Sequence, residues 1–340
     1  VTELQGVLAH EFGHYYGGDT KLGPWIYKTR STIERTLQGL AGHSTFIQKP
    51  FIAYGNLFLR VTHAISRRQE FKADELAAGY AGRNSMISAL QKIFTAAEAY
   101  QSYWNDELAP ALNAGFLPPY AGGFHIFLEA GSVKEAMTNL LTKELESGVT
   151  DPYATHPALK DRLKALEALS ENDAPDNSPS AVSLLGNLRE LELELFSHHL
   201  GASLQPTSWE NVAHDVYRPR WAEIAQKQQS NLSGLTLKTL PERLADFDEF
   251  SGNIVRTSGE PLWEKRKSYA ALVVAAAATT KLIEAGWEVR TDPGMDIVAH
   301  FGTKSWEPFT VVRKLFFGDM TPEEWQVTCN QLEISDLALT

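Results

Sequence analysis

Apolar residues recur along most of this chain at intervals of three and four, so the pattern predicts helices almost throughout. Thr2-Glu3-Leu4-Gln5 has the form of a capping box, which starts a helix at once; it runs to Tyr15 or Tyr16 and stops at Gly17-Gly18. Further helices are predicted over 25–40, over 51–80 after a polar turn near Lys49-Pro50, and over 84–106. A Pro/Gly-rich loop covers 109–123, and 132–146 is helical again. Thr155-His156-Pro157 is a turn into a helix over 157–169, since proline suits the first helical position and disfavours helix just before it.

Residues 171–180, ENDAPDNSPS, carry no such period and read as a linker. Beyond it, LLGNLRELELELFSHHL, PRWAEIAQKQQ and 261–285 are helical, whereas WEVRT, MDIVAHF and FTVVRKLFF are strand-like. Thr321-Pro322-Glu323-Glu324 caps a final helix. The expected fold is mainly α: a helical domain over 1–170, the linker 171–180, and a smaller α+β domain over 181–340.

Composition adds limits. With 340 residues, 43% hydrophobic and 21% charged, the chain can bury a sizeable core and divide into about two domains. A net charge of -11, with no basic cluster larger than Arg67-Arg68 or Lys265-Arg266-Lys267, excludes a nucleic-acid partner; both clusters read as solvated helix faces. A single cysteine, Cys329, cannot build a thiolate site, so any metal must use nitrogen and oxygen donors, and Cys329 reads as a buried small apolar residue. There is no run of 18 to 20 apolar residues; the nearest, YAALVVAAAATT at 269–280, is a core helix. The chain starts at Val1, nine residues before the first histidine, and reads as a fragment.

That histidine belongs to LAHEFGHYYGG, which contains H-E-x-x-H. His10 and His14 lie one turn apart on one helix face, where both rings reach one ion, while Glu11 points about 100° away, toward a water in the ion's open position. In SRRQEFKADELAA, Glu70 and Asp74 share a face of a second helix. Glu70 is assigned as third ligand and Asp74 as the partner that fixes the far nitrogen of His10. The competing reading makes both exposed charges paired with Arg67 or Arg68. His63, seven residues before Glu70, shares its face, but three ligands already leave zinc its open position. His43, His125, His198, His199, His214 and His300 lack ligand spacing. FIQKPFIAYGNLFL at 46–59 reads as helix–helix core, with a lipid-facing or substrate-facing surface as the alternative.

AHEFGH, SRRQEFKAD and THPALKDRL, in this order across residues 1–170, resemble the three signature blocks of a membrane zinc metallopeptidase family. It includes the HtpX-type quality-control proteases and the CAAX prenyl proteases. The resemblance implies one Zn2+ per chain on His10, His14 and Glu70, Glu11 as general base, and active-site roles for His156 and Arg162. These last two make physical sense, since a donor aimed at a developing oxyanion stabilises it by roughly 3 to 4 kcal/mol. His156, on a rigid X-Pro turn, is the better donor, and Arg162 orients substrate or a site carboxylate. Without the resemblance, His156 would merely begin a helix and Arg162 would lie on its surface. The implied activity is endopeptidase cleavage of proteins or peptides. Membrane association would come through sequence absent here, of the bacterial inner-membrane type with a cytoplasmic catalytic domain. A silent zinc-binding scaffold with a partner-binding second domain is the alternative, and an exopeptidase would need an acidic cluster that nothing in the sequence localises.

Overall fold

The computed structural model describes residues 1–16, 19–40, 45–172, 177–200, 203–259 and 263–340. It is mainly helical and divides into two compact units that alternate along the chain, one of 1–99 with 135–188, the other of 100–134 with 189–340.

The first unit is built on α1 (Thr2–Tyr16), α2 (Asp19–Gly39), α3 (Thr45–Ala81), α4 (Arg83–Ser102), α5 (Gly131–Ser147) and α6 (Leu159–Glu167). Thr2 is already helical rather than a cap, since Gln5 N donates to Val1 O, and Glu3 of the first turn pairs with Ser88 and Lys92 on α4. Helix α3 runs straight through the Lys49-Pro50 turn expected before it. Its buried face carries Phe58, Thr62, Glu70, Ala73, Asp74, Ala77 and Ala81, a helical period that mixes carboxylates into an apolar stripe. Along this face α1 packs closely, because Gly13 has no side chain and stands directly over Ala73. On α6, Leu159, Leu163 and Leu166 bury against Ala77, Ala78, Met86 and Leu90, which fixes the rotation of the helix about its axis. The stretch 46–59 is only partly core: Phe58 is buried, but Phe51, Ile52, Tyr54 and Leu57 are exposed.

The second unit is organised around Arg266–Glu284, whose residues Ala270, Ala271, Val273 to Thr279 and Leu282 are buried on nearly every side, as a central helix requires. Helices Arg218–Lys227, Phe247–Ser258 and Pro308–Phe317 surround it. The last was expected as a strand from its Val and Phe content. Pro308 at the first turn, Gly318 in the left-handed conformation after the end, and burial of Val312, Leu315 and Phe316 make it a helix. The 109–123 segment is also partly helical, with Ala109–Asn113 and the start of Tyr120–Glu129 inside it. Glu288–Arg290, Val298–Phe301 and Lys304–Trp306 form an antiparallel sheet, its last hairpin closed by a two-residue turn with Gly302 at φ 59°. Phe116–Leu117 and Gln205–Pro206 add a short parallel pair. Thr321 caps the last helix, Pro322–Leu332, with the expected reciprocal bonds to Glu324. Cys329 is buried, and that burial pushes its thiol up to about 12.

Candidate metal centre

Four residues that the sequence places on two helices come together on the facing sides of α1 and α3. His10 and His14, one turn apart, set their rings at 88° with Nε2 atoms 3.2 Å apart. Glu70 faces both: Oε2 lies 3.5 Å from His10 Nε2, and Oε1 lies 3.3 Å from His14 Nε2. Donors about 2.0–2.1 Å from a tetrahedral zinc stand about 3.3–3.4 Å from each other, so these separations suit one ion between them. The charges agree as well. Two imidazole nitrogens this close repel unless a proton or a cation lies between them. On the side where an ion would sit, Glu70 Oε2 is buried without an aligned hydrogen-bond partner, a polarity that a bound cation would satisfy. The group His10, His14 and Glu70 can therefore hold a metal ion.

The competing picture of exposed helix charges does not hold, since Glu70 is 5% and Asp74 2% exposed. Asp74 Oδ1 lies 3.0 Å from His10 Nδ1, on the side of the ring away from Glu70. Arg162, on α6, grips Asp74 with both arms: Nε donates to Oδ2 at 2.8 Å and Nη2 to Oδ1 at 2.6 Å. Its Nη1 is 3.5 Å from Glu70 Oε2. Of the two roles open to Arg162, the geometry is that of orienting a site carboxylate. Burial opposes ionisation of Asp74, but Arg162 and His10 outweigh it and hold the carboxyl below its usual range. Glu70 is likewise driven down to about 2, against burial, by His10, His156 and Arg162.

His156 stands on the open side of this cluster, its side chain 67% exposed and its Nδ1 3.1 Å from Glu70 Oε2. Glu11 follows His10 on α1 and is exposed. Among the described residues it has no hydrogen-bond or ion-pair partner, so its carboxylate is not engaged elsewhere. His63 does not join the ligand group; its Nδ1 contacts Tyr153 O at 2.7 Å. His214 pairs with its neighbour Asp215, His125 and His198 are exposed, His300 is half-buried, and the side chains of His43 and His199 lie outside the described residues.

One residue was misread from the sequence. Arg67 is not a solvated charge: its Nη1 donates to Pro152 O at 2.9 Å and Ala154 O at 2.7 Å, with Asp151 O at 3.5 Å. A signal existed in the spacing. His63, Arg67, Glu70 and Asp74 fall at i, i+4, i+7 and i+11, one stripe of α3 facing both the histidines and the turn that carries His156.

Residues 1–170 match the model of Peptidase family M48. Over 190 residues the chain is 28% identical to a protein named Protease HtpX homolog from Methylacidiphilum infernorum (isolate V4), covering 50% of this chain and 54% of that protein. Over 187 residues it is 29% identical to Protease HtpX of Ectopseudomonas mendocina (strain ymp), covering 49% and 53%. The chain thus spans about half the length of the curated relatives it matches. No solved structure matches. The matched residues hold every member of the clustered His, Glu, Asp and Arg side chains, and the chain belongs to Peptidase family M48.

Proposed function

We propose that residues 1–170 form a zinc metalloendopeptidase domain acting on protein or peptide substrates, followed by a linker at 171–180 and an extension over 181–340. The observation that carries this reading is the trio of donors from His10, His14 and Glu70 at zinc-compatible separations, with a free carboxylate one residue along. A zinc ion held there would supply Lewis-acid activation of water and of the scissile carbonyl. Glu11 takes the proton from the attacking water and returns it to the leaving amine. His156, on the open side, donates to the oxygen that gains charge as the carbonyl is attacked. Asp74 fixes His10 through Nδ1, and Arg162 keeps Asp74 ionised and in place. Asp74 and Arg162 thus act by positioning, and Glu11 and His156 by touching the substrate or its attacking water.

Membrane association is kept as part of the proposal. No helix among the described residues is long and apolar enough to cross a membrane, whereas Leu8, Phe12, Tyr15, Tyr54, Leu57 and Val61 are exposed on α1 and α3. Sedimentation with liposomes tests this separately.

The peptidase reading is tested by metal analysis together with digestion of an unfolded protein, with chelator and then with zinc restored. One equivalent of metal and chelator-reversible cleavage are expected. Glu11→Gln should keep the metal and lose at least about 10²–10³ in turnover; undiminished cleavage would remove Glu11 as base. Glu70→Ala should lower metal content, and metal content equal to that of the unaltered chain would move the third ligand elsewhere.

A further inference from the structure

We infer that Arg67, aided by His63 one turn earlier, is a positioning residue for His156: it fixes the imidazole beside the metal-ligand cluster by holding the turn 151–157 against α3. This rests on the peptidase reading above.

The argument begins with how little else holds His156. Its side chain is 67% exposed, and among the described residues its one polar contact is Glu70 Oε2. Where the ring stands is therefore decided by the backbone beneath it. That turn has its own internal bonds: Tyr153 N donates to Asp151 Oδ1 at 2.8 Å, Ala158 N to Thr150 Oγ1 at 2.8 Å, and Thr150 Oγ1 to Asp161 Oδ2 at 2.6 Å. These bonds shape the turn and tie it to α6. The bonds that tie it to α3, where Glu70 sits, come from Arg67 and His63. Between them they contact the consecutive carbonyls of Pro152, Tyr153 and Ala154, the last only two residues before His156.

The chemistry of Arg67 suits this task. No carboxylate among the described residues pairs with it, so its charge is directed to backbone carbonyls, and the two hydrogens on Nη1 diverge in a plane that reaches two of them. Because Arg67 lies one turn before Glu70 on one rigid helix, the same element sets both the metal ligand and the height of the His156 turn above it. A donor to an oxyanion must be placed within a fraction of an ångström, and a 1 Å error costs on the order of a hundredfold in rate. An unanchored, exposed turn would not meet that tolerance.

The test is a double-mutant cycle of Arg67→Ala and His156→Ala in the full chain, with Arg67→Lys as the conservative variant. Metal content and melting temperature are measured alongside. Arg67→Ala should lower kcat on the order of ten- to a hundredfold, with KM and metal content little changed, and Arg67→Lys should recover part of the loss. In the His156→Ala background, Arg67→Ala should change kcat by less than about twofold, because its effect passes through the missing ring. Equal losses in both backgrounds would overturn the inference. A second measurement is independent of cleavage: in the metal-free chain labelled with 15N-histidine, the His156 ring should be ordered, and Arg67→Ala should raise its motion. Unchanged ring relaxation in Arg67→Ala overturns the inference whether or not the chain cleaves peptides. Absence of chelator-sensitive cleavage by the unaltered chain, with the ring released in Arg67→Ala, would instead reject the peptidase reading and leave the placement of His156 standing.

Discussion

Asp74 contacts His10 on the ring nitrogen that faces away from Glu70, and two arms of Arg162 hold it there. A metal-binding imidazole gains orientation and basicity from such a partner, so Asp74→Ala should weaken zinc binding about 10- to 100-fold without removing a ligand. Affinity measured by chelator competition checks this, and an unchanged value would make Asp74 a packing residue. His10 brings a proton into the same account. In the metal-free protein burial opposes its charged form, but Asp74 and Glu70 outweigh burial and raise it to about 9. The folded chain binds this proton more tightly than the unfolded chain. Its contribution to metal-free stability is complete below the ordinary value of 6.5 and is lost as pH rises through about 9. Zinc must displace that proton, so apparent affinity should climb about tenfold per pH unit from neutrality and level off above about 9. A pH-independent affinity over that span, after correction for the competitor's own protonation, would show that His10 is not a ligand.

At the scale of elements, the site depends on how closely α1 approaches α3. A Cβ placed on Gly13 would stand 3.0 Å from the Cα and 3.2 Å from the Cβ of Ala73. Backbone cannot swing aside, so Gly13→Ala should push the helices apart and destabilise the chain by about 1–3 kcal/mol, with weaker metal binding, since His14 is the next residue. Gly6, on the same helix, is the control. Its nearest foreign atom is the flexible Met86 Sδ at 3.4 Å, so Gly6→Ala should be neutral or stabilising, by up to about 0.8–1 kcal/mol from helix propensity. Urea unfolding distinguishes them, and equal effects would remove close approach as the cause. The same two helices show what can be read from sequence. His10/His14 and Glu70/Asp74 were legible because their chemistry repeats at the helical period, and the period survives into the fold. Arg67 was not, because its acceptors lie more than eighty residues away and are carbonyls, which carry no residue code. The 308–317 helix was misread for a different reason. Its β-branched and aromatic residues suggested a strand, yet Pro308 and Gly318 mark a helical start and stop, and the burial at 312, 315 and 316 has helical spacing.

At the scale of the whole molecule, each unit has its own core. One is centred on Ala77, Ala78, Met86, Leu90 and the leucines of α6, the other on the helix Arg266–Glu284 with Phe250, Trp306 and Trp325. All three donors of the candidate metal centre belong to the first unit, on α1 and α3. A ligand that binds only the folded form stabilises what must open to release it, by a factor of one plus the ratio of its free concentration to Kd. With free zinc at a hundred times Kd, amide exchange in α1, in α3 from Thr62 to Ala81, and in α6 should slow by up to about 100-fold. The helix Arg266–Glu284 lacks all of those donors, and its exchange should stay as it is without zinc. Hydrogen–deuterium exchange followed by mass spectrometry reads both sets of peptides in one experiment, on the full chain and without any substrate. Equal slowing in both units would mean that they open together, so that metal stabilises one cooperative molecule. Slowing confined to the second unit would place the metal away from His10, His14 and Glu70. The expected pattern, protection in the first unit alone, would tie metal binding and folding to residues 1–99 and 135–188, most of which lie within the stretch that matches the peptidase family.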